Sequence, residues 1–155
     1  MNEYLLEARE ELKRLEHIIY VSLKYTRTVD VLRNALNRMV SMFDLVVDAF
    51  LEKAKEEGLI DLFPKSPALR AKRVEEMYPE DKELHQYLAF YAFLKNILKK
   101  EFQKREEYRR HVTMTLEIDN STAEVNIDNL MNCEKYVHLF YNYALEKIDG
   151  IKNED

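Results

Sequence analysis

The sequence predicts a mainly α-helical fold, a bundle of four to five helices with one short β-hairpin inserted before the last helix. Three observations lead to this prediction. Only two glycines and three prolines occur in 155 residues, and such a composition favours helices over turn-rich sheets. Apolar residues recur at steps of three and four along most of the chain, which is the period of an amphipathic helix. Between residues 112 and 127 they instead alternate with polar residues, as in a β-hairpin.

The first two predicted helices each have a clear apolar face. In the first helix, the inward-facing residues are Leu5, Ala8, Leu12, Leu15 and Ile19. The second helix begins after an N-cap at Thr28 and ends at Gly58, because glycine commonly occupies the left-handed position that follows a helix. Apolar residues cover more than one face of this second helix, so we expect it to be the central helix of the bundle.

Two further helices follow a connector that contains a proline. Ser66 and Pro67 supply the N-cap and the first-turn proline of a short helix that is expected to reach about Met77. Glu80-Asp81 then opens a long helix that is expected to reach roughly His111. The middle of this long helix is dense in aromatic residues, which are more typical of a core or a dimer interface than of a platform on which bases stack.

The predicted hairpin turns at residues 119–122. Its strands direct one set of alternating apolar residues to a single face: Val112, Met114, Leu116, Ile118, Ala123, Val125 and Ile127. An isolated hairpin is only marginally stable, so this face is expected to lie on the helices or on a second subunit. Asp128 is predicted to cap the final helix, which ends at Gly150. Residues 1–150 are therefore predicted to form one helical domain, and residues 151–155 a frayed acidic tail.

Charge and cysteine content narrow the classes of function. A net charge of −5 argues against nucleic-acid binding over the whole surface, but it permits one local basic patch. Cys133 has no disulfide partner, and neither a signal sequence nor an apolar stretch of ~20 residues is present, so we expect a cytoplasmic protein with no membrane partner. The abundance of glutamate and lysine is typical of thermophilic proteins. No cofactor is predicted, because glycine-rich phosphate loops and paired-cysteine motifs are absent.

Two polar patterns on helices have both a functional and a structural interpretation. Along the central helix, the polar residues fall on one line: Asp30, Asn34, Asn37, Ser41, Asp44 and Asp48. If these residues form the wall of a polar groove, Asp44 and Asp48 are candidate ligands or bases. A solvated strip on a mostly buried helix explains the same pattern. Glu134 and His138 lie four residues apart on the last helix and could be two ligands of a metal ion. Surface pairs with this spacing are common, so the sequence predicts no metal site.

The most suggestive segment runs from Lys95 to Arg110, where seven basic residues accompany three acidic ones. Such a segment can hold an RNA backbone through contacts with its phosphates. The candidate RNA-binding residues are Lys99, Lys100, Lys104, Arg109 and Arg110. The alternative interpretation is structural, since cations at the C-terminus of the predicted long helix would offset its dipole.

Arg105 and His111, with five residues between them, resemble a motif of the HEPN family (higher-eukaryote and prokaryote nucleotide-binding domains). In these small helical bundles an arginine is followed by a histidine at this spacing. The resemblance implies a homodimer that cuts RNA without a metal ion, in which Arg105 holds the scissile phosphate and His111 takes part in proton transfer. Glu106 stands where the family often has Asn or Asp, and no tyrosine soon follows His111.

The sequence therefore favours a helical binding or oligomerisation module, with a HEPN-like, metal-independent endoribonuclease of the toxin type as the alternative. A homodimer is expected, because an aromatic-rich helix and an unpaired hairpin present more apolar surface than a monomer of this size easily covers. RNA and a protein partner are both candidate ligands, and a subunit that serves as a scaffold for a different protein fits the same pattern.

Overall fold

The computed structural model describes residues 1–151 and confirms the predicted fold class. The helices are α1 (Glu3–His17), the short α2 (Leu23–Tyr25), α3 (Val29–Glu56), α4 (Pro67–Met77), α5 (Lys82–Lys99) and α6 (Ile127–Asp149). A π-helical segment, Ile18–Ser22, joins α1 to α2. The strands are β1 (Phe102–Arg105), β2 (Thr113–Ile118) and β3 (Ser121–Asn126), and they form an antiparallel sheet in the order β1-β2-β3.

Most predicted helix boundaries that rest on a local capping signal are confirmed, and the cap of the last helix is the exception. The hydroxyl of Thr28 accepts a hydrogen bond from the Val31 N–H at 3.2 Å and starts α3. Ser66 caps α4 in the same way, with Pro67 in the first turn. Gly150 follows α6 with φ +67°, a left-handed conformation that costs glycine little. These ends depend on neighbours in the chain, which is why the sequence predicts them.

The core is built around α3, as predicted. This helix packs against α1, α4, α5, α6 and the sheet. At its centre the Phe43 ring stacks on Phe140 of α6 and on Tyr91 of α5, with ring centroids 4.6 and 5.2 Å apart. Tyr87 of α5 lies in the same aromatic group. The aromatic residues in the middle of α5 are therefore mostly core residues, although Phe93 is exposed.

The predicted extension of the long helix to His111 is wrong. Helix α5 ends at Lys99, and residues 102–105 form a strand that pairs with β2, with Phe102 opposite Leu116. Residues 100–111 contain no stripe of apolar residues that a helix could bury, whereas a single strand can bury Phe102 and hydrogen-bond to the open edge of the hairpin. The guanidinium carbon of Arg33 lies over the Phe102 ring, 4.3 Å from the ring centroid. The hairpin is consequently part of a three-stranded sheet.

The hairpin itself is confirmed, and its apolar face lies on the helices. Met114, Leu116 and Val125 are buried in the core. At the turn, Asp119 and Asn120 both have positive φ, 50° and 66°, which is the backbone of the tight turns that connect paired strands.

The predicted cap of the last helix is corrected. Asn126 caps α6, because its side chain accepts a hydrogen bond from the Asn129 N–H at 2.9 Å and the Asn129 side chain accepts one from the Asn126 N–H at 3.1 Å. This reciprocal pair satisfies two N–H groups that the first turn of a helix leaves unpaired. Asp128 lies in that first turn and forms an ion pair instead.

Among residues 1–151, no helix combines the length and the apolar content needed to cross a membrane. The predicted acidic tail lies outside the described residues, except for Ile151.

Candidate functional site

Residues 106–112 connect β1 to β2, and hydrogen bonds hold this loop against the start of α3. The Tyr108 N–H donates to the Arg27 carbonyl at 2.6 Å. The Glu107 carboxylate accepts from the Val29 N–H, 3.1 Å away, in the first turn of α3. At the other end of the loop, the Thr113 hydroxyl donates to the His111 carbonyl at 2.8 Å. The loop therefore has a defined conformation, and the residues that it carries are held in place.

Two residues of this loop have a backbone conformation that side chains disfavour. Glu106 has φ +58° and Tyr108 has φ +69°. For non-glycine residues such conformations cost free energy and tend to cluster at functional sites. The Tyr108 side chain is 78% exposed, so the strain does not serve to bury its ring. The combination makes this loop a candidate binding segment.

Arg105 and His111 line one open cleft of ≈ 450 Å³ between the loop and the sheet. The other residues around the cleft are Glu106, Arg110, Thr113, Glu124, Asn126 and Asp128. The sequence predicted that Arg105 and His111 act together on a helix. The structure brings them to the same cleft, but from the end of a strand and from the loop that follows it.

A second cleft, of ≈ 720 Å³, lies along the outer face of the sheet. Its lining includes Lys100, Gln103, Thr115 and Thr122, and Arg105 lines both clefts. Glu101, Phe102, Leu116 and Glu117 complete the lining, so this cleft is of mixed character, and it meets the loop at Arg105.

The predicted RNA-binding residues are all exposed, but they differ in their ion pairs. Arg110 pairs with Asp128 at 3.0 Å. Lys104 lies 3.4 Å from an oxygen of Asp30. The other three of these five residues, Lys99, Lys100 and Arg109, have no ion-pair partner among the described residues. Dipole compensation can explain Lys99 in the last turn of α5 and Lys100 at its C-cap, but not the candidate residues further along the chain.

Arg105 is neutralised in the structure. Its guanidinium Nη2 lies 2.8 Å from the Glu124 carboxylate across the sheet, and both side chains are about half exposed. Exposed pairs of this kind contribute roughly 0–1 kcal/mol. A phosphate that approaches Arg105 would therefore displace Glu124 at little cost.

Asp44 and Asp48 line a cleft of ≈ 240 Å³ in which both carboxylates already have partners. The Tyr91 hydroxyl donates to Asp44, and Arg70 of α4 pairs with Asp48 at 3.1 Å. Burial raises the pKa of both carboxyl groups above the usual value, although these partners oppose the shift. The two residues thus tie α3 to its neighbouring helices. Further along the same line Asp30, Asn34 and Asn37 are exposed, as expected of a solvated strip.

Glu134 and His138 belong to a larger cluster that the sequence did not predict. The His138 Nε2 lies 2.9 Å from Glu134 Oε1 and 2.7 Å from Oε1 of Glu16, a residue of α1. One ligand atom from each of these three side chains lies within 4.8 Å of the others. Tyr20, in the π-helical segment, donates its hydroxyl to the other oxygen of Glu134 at 3.4 Å. We call Glu16, Glu134, His138 and Tyr20 the carboxylate–histidine cluster.

Burial distinguishes Glu134 from the rest of this cluster. It is a charged residue in the core, with 7% of its surface exposed. Burial raises the pKa of the Tyr20 phenol, and the negative charge of Glu134 is the second cause of this increase. The phenol therefore remains a hydrogen-bond donor. Glu16 could not be found from the sequence, because it lies 122 positions from His138. The only local signal was the spacing of Glu134 and His138.

Comparison of the chain with models of known protein families, with curated proteins and with solved structures found no match. The residues and geometry described above therefore carry the functional argument alone.

Proposed function

We propose that this protein is a binding module for single-stranded RNA, and that the ligand lies on the loop of residues 106–112 and the adjoining outer face of the sheet. One observation carries this proposal. An exposed tyrosine lies on a strained but hydrogen-bonded loop that also carries Arg109, and the same loop contributes His111 to the cleft that Arg105 lines. Cations that follow a phosphate backbone, together with an aromatic ring on which a base stacks, are the usual means of binding single strands.

The charges around the loop favour a local site over general adhesion to nucleic acid. Lys99, Lys100 and Arg109 supply positive charge without an ion-pair partner among the described residues. In the chain as a whole acidic residues outnumber lysines and arginines, 29 to 24, which limits the attraction of polyanions to the rest of the surface. This balance agrees with the net charge of −5.

Cleavage of the bound RNA is the second candidate function, and the shared cleft of Arg105 and His111 is the observation that favours it. In this reaction the 2′-oxygen attacks the adjacent phosphorus and the bond to the 5′-oxygen breaks. The proton lost by the 2′-hydroxyl is balanced by one gained by the 5′-oxygen. Arg105 would stabilise the charge on the phosphate and His111 would transfer a proton. No metal ion takes part in these steps.

A homodimer in the cytoplasm belongs to the same proposal. The two apolar features that suggested a dimer, the aromatic helix and the hairpin face, are largely buried within the chain. The remaining reason is chemical, because the HEPN-like reaction uses residues of two chains. Light scattering at micromolar concentration tests this part, and a monomeric mass would count against cleavage but not against RNA binding. A protein partner at the same surface is the alternative to RNA.

Binding can be tested by the fluorescence anisotropy of a labelled, unstructured RNA as salt is varied. We expect Lys100→Ala and Arg109→Ala each to weaken binding and to reduce the slope of log affinity against log salt by about 0.7, the value for one phosphate contact on a single strand. Tyr108→Ala should weaken binding by about 1–3 kcal/mol. Lys72→Ala, which removes an exposed lysine of α4, is the matched control. Equal affinities for all four variants and the wild type would refute an RNA site at this loop.

Cleavage can be tested with the same RNA in the presence of EDTA. We expect His111→Ala and Arg105→Ala each to abolish cleavage and to leave the folded state intact, whereas Lys100→Ala should only weaken binding. If the wild-type protein cleaves none of several RNA substrates, or if His111→Ala cleaves at the wild-type rate, the catalytic assignment fails. The binding proposal would then be judged by anisotropy alone.

A further inference from the structure

The carboxylate–histidine cluster lies apart from the RNA surface in the fold, at the contact of α1, the π-helical segment and α6. The proposed RNA function does not use any of its residues. Its composition is unusual for a structural contact, because two carboxylates approach one ring nitrogen.

The cluster contains more carboxylate acceptors than His138 can supply with hydrogen-bond donors. The Nε2 of His138 carries at most one hydrogen, yet Glu16 and Glu134 both lie within 2.9 Å of it. Among the described residues, neither carboxylate has a lysine or arginine within ion-pair distance. Glu134 is nine-tenths buried, and a buried carboxylate without a cation is costly. The ring of His138 is therefore the only group of the cluster that could supply positive charge, and it faces two carboxylates.

We propose that Glu16, Glu134 and His138 bind a divalent transition-metal ion of the zinc type. Two carboxylates balance the charge of such an ion, and an imidazole nitrogen is a ligand that zinc prefers. Calcium and magnesium are disfavoured because they select sites made of oxygen ligands.

The distances are close to those that such a site needs. Zn–N and Zn–O bonds of about 2.0–2.1 Å in a tetrahedron hold neighbouring ligand atoms roughly 3.3 Å apart. The Nε2 of His138 lies 2.7 and 2.9 Å from the two carboxylate oxygens, so an ion requires only small side-chain movements. The side chains of His138 and Glu16 are 36% and 42% exposed, which gives the ion access from solvent.

Tyr20 has a separate, positioning role in this site. Its hydroxyl donates to the Glu134 oxygen that faces away from His138, which orients the carboxylate. It reaches Glu134 from a π-helical segment, a distortion that is rare and often occurs at functional sites. Three protein ligands leave a fourth position for water, the arrangement of zinc sites that are open to a substrate.

The test is a titration of the metal-free full-length protein with zinc, in competition with a chromophoric chelator. We expect one zinc ion per chain, and an affinity that 1 mM magnesium or calcium leaves unchanged within about twofold. Cobalt in place of zinc should give the visible absorption of a four-coordinate site. Glu16→Gln, Glu134→Gln and His138→Gln should each weaken zinc binding by at least about tenfold. His111→Gln, which alters an exposed histidine outside the cluster, is the matched control.

A second readout keeps the proposal testable if a variant folds poorly. Zinc that binds the folded state raises the midpoint of thermal unfolding, and this increase should be present in the wild type and in His111→Gln and absent in His138→Gln. The proposal is overturned if the wild type binds no zinc at about 100 µM, if affinity stays within about threefold in all three ligand variants, or if it is lost only in His111→Gln. Zinc binding and RNA binding are measured separately, so either proposal can fail alone.

Discussion

Substitution of Asp81 by alanine tests the contact between α5 and α6 most sharply. One oxygen of Asp81 accepts a hydrogen bond from the Leu84 N–H at 3.0 Å and so caps α5. The other accepts from the Tyr143 hydroxyl and from the Lys147 ammonium of α6, the latter at 3.0 Å. A single carboxylate thus joins the start of one helix to the last turns of another.

The cost of Asp81→Ala can be worked out from these contacts. Loss of an N-cap costs about 1 kcal/mol. Loss of a hydrogen bond between a hydroxyl and a charged acceptor costs about 1.5–3 kcal/mol, while the partly exposed Lys147 pair contributes only a few tenths. The three contacts share one carboxylate and are not additive, so we expect a total of about 2–3 kcal/mol. For a chain of this length the midpoint of thermal unfolding should fall by about 5–10 °C.

The effect of Asp81→Ala should depend on pH. Burial disfavours the charged form, but the hydrogen bonds from Tyr143, the Leu84 N–H and Lys147 outweigh it and lower the pKa of Asp81 below its ordinary value of 3.8. The folded state thus binds this proton less tightly than the unfolded state. The contribution of Asp81 is present above about pH 4 and is lost as the pH falls through the lowered pKa.

Thermal unfolding followed by circular dichroism measures these differences. Asp81→Asn, which keeps an acceptor for the cap, should lose less stability than Asp81→Ala. Asp61→Ala removes an exposed aspartate from a connector and is the control. The reasoning is refuted if Asp81→Ala unfolds within 1 °C of the wild type at pH 7, taking about 1 °C as the resolution of the assay, or if its deficit is as large at pH 3 as at pH 7.

Three further predictions concern the core, the hairpin turn and α3. Phe140→Ala should cost about 3–5 kcal/mol in chemical denaturation, whereas Leu139→Ala, at a position that is 57% exposed, should change stability by less than about 0.5 kcal/mol. Asn120→Val should destabilise the protein by about 1–2 kcal/mol, because a β-branched residue resists the φ of +66°, and Asn120→Gly should not. Burial raises the pKa of Asp48, so stability is lost as the pH rises through that pKa. The stability of Asp48→Asn relative to the wild type should therefore be higher at pH 7 than at pH 4, and equal differences at both would contradict the argument.

Most helix boundaries were predictable because their determinants lie within a few residues of each other. Thr28 and Ser66 cap helices through N–H groups three positions away, and Gly150 needs only its own backbone freedom. Strand β1 was not predictable in the same way. Glutamine, lysine and arginine favour a helix locally, whereas Phe102 pairs with Leu116 across the loop of residues 106–112. Strand formation here depends on a partner elsewhere in the chain.

In the candidate sites, too, features set by residues close in sequence were predictable and features set by distant residues were not. Arg105 and His111 line the same cleft, but the spacing was interpreted on a helix that does not extend that far. The pairing of Arg105 with Glu124 could not be foreseen, because it depends on the register of all three strands. In the carboxylate–histidine cluster, only the two residues of α6 leave a local pattern, and Glu16 joins them through the packing of α1 on α6.

The π-helical segment determines how the chain would tolerate the deletion of one residue between α1 and α2. A π turn accommodates one more residue than an α turn, so the eight steps from Leu15 to Leu23 rotate the chain as about seven α-helical steps would, roughly 700° or nearly two full turns. Both leucines therefore face the core. Deletion of the exposed Val21 would leave seven ordinary steps and preserve that alignment, while it changes the direction of Tyr20. We expect this one-residue deletion to fold, because both leucines keep their places in the core, and to change the direction of Tyr20.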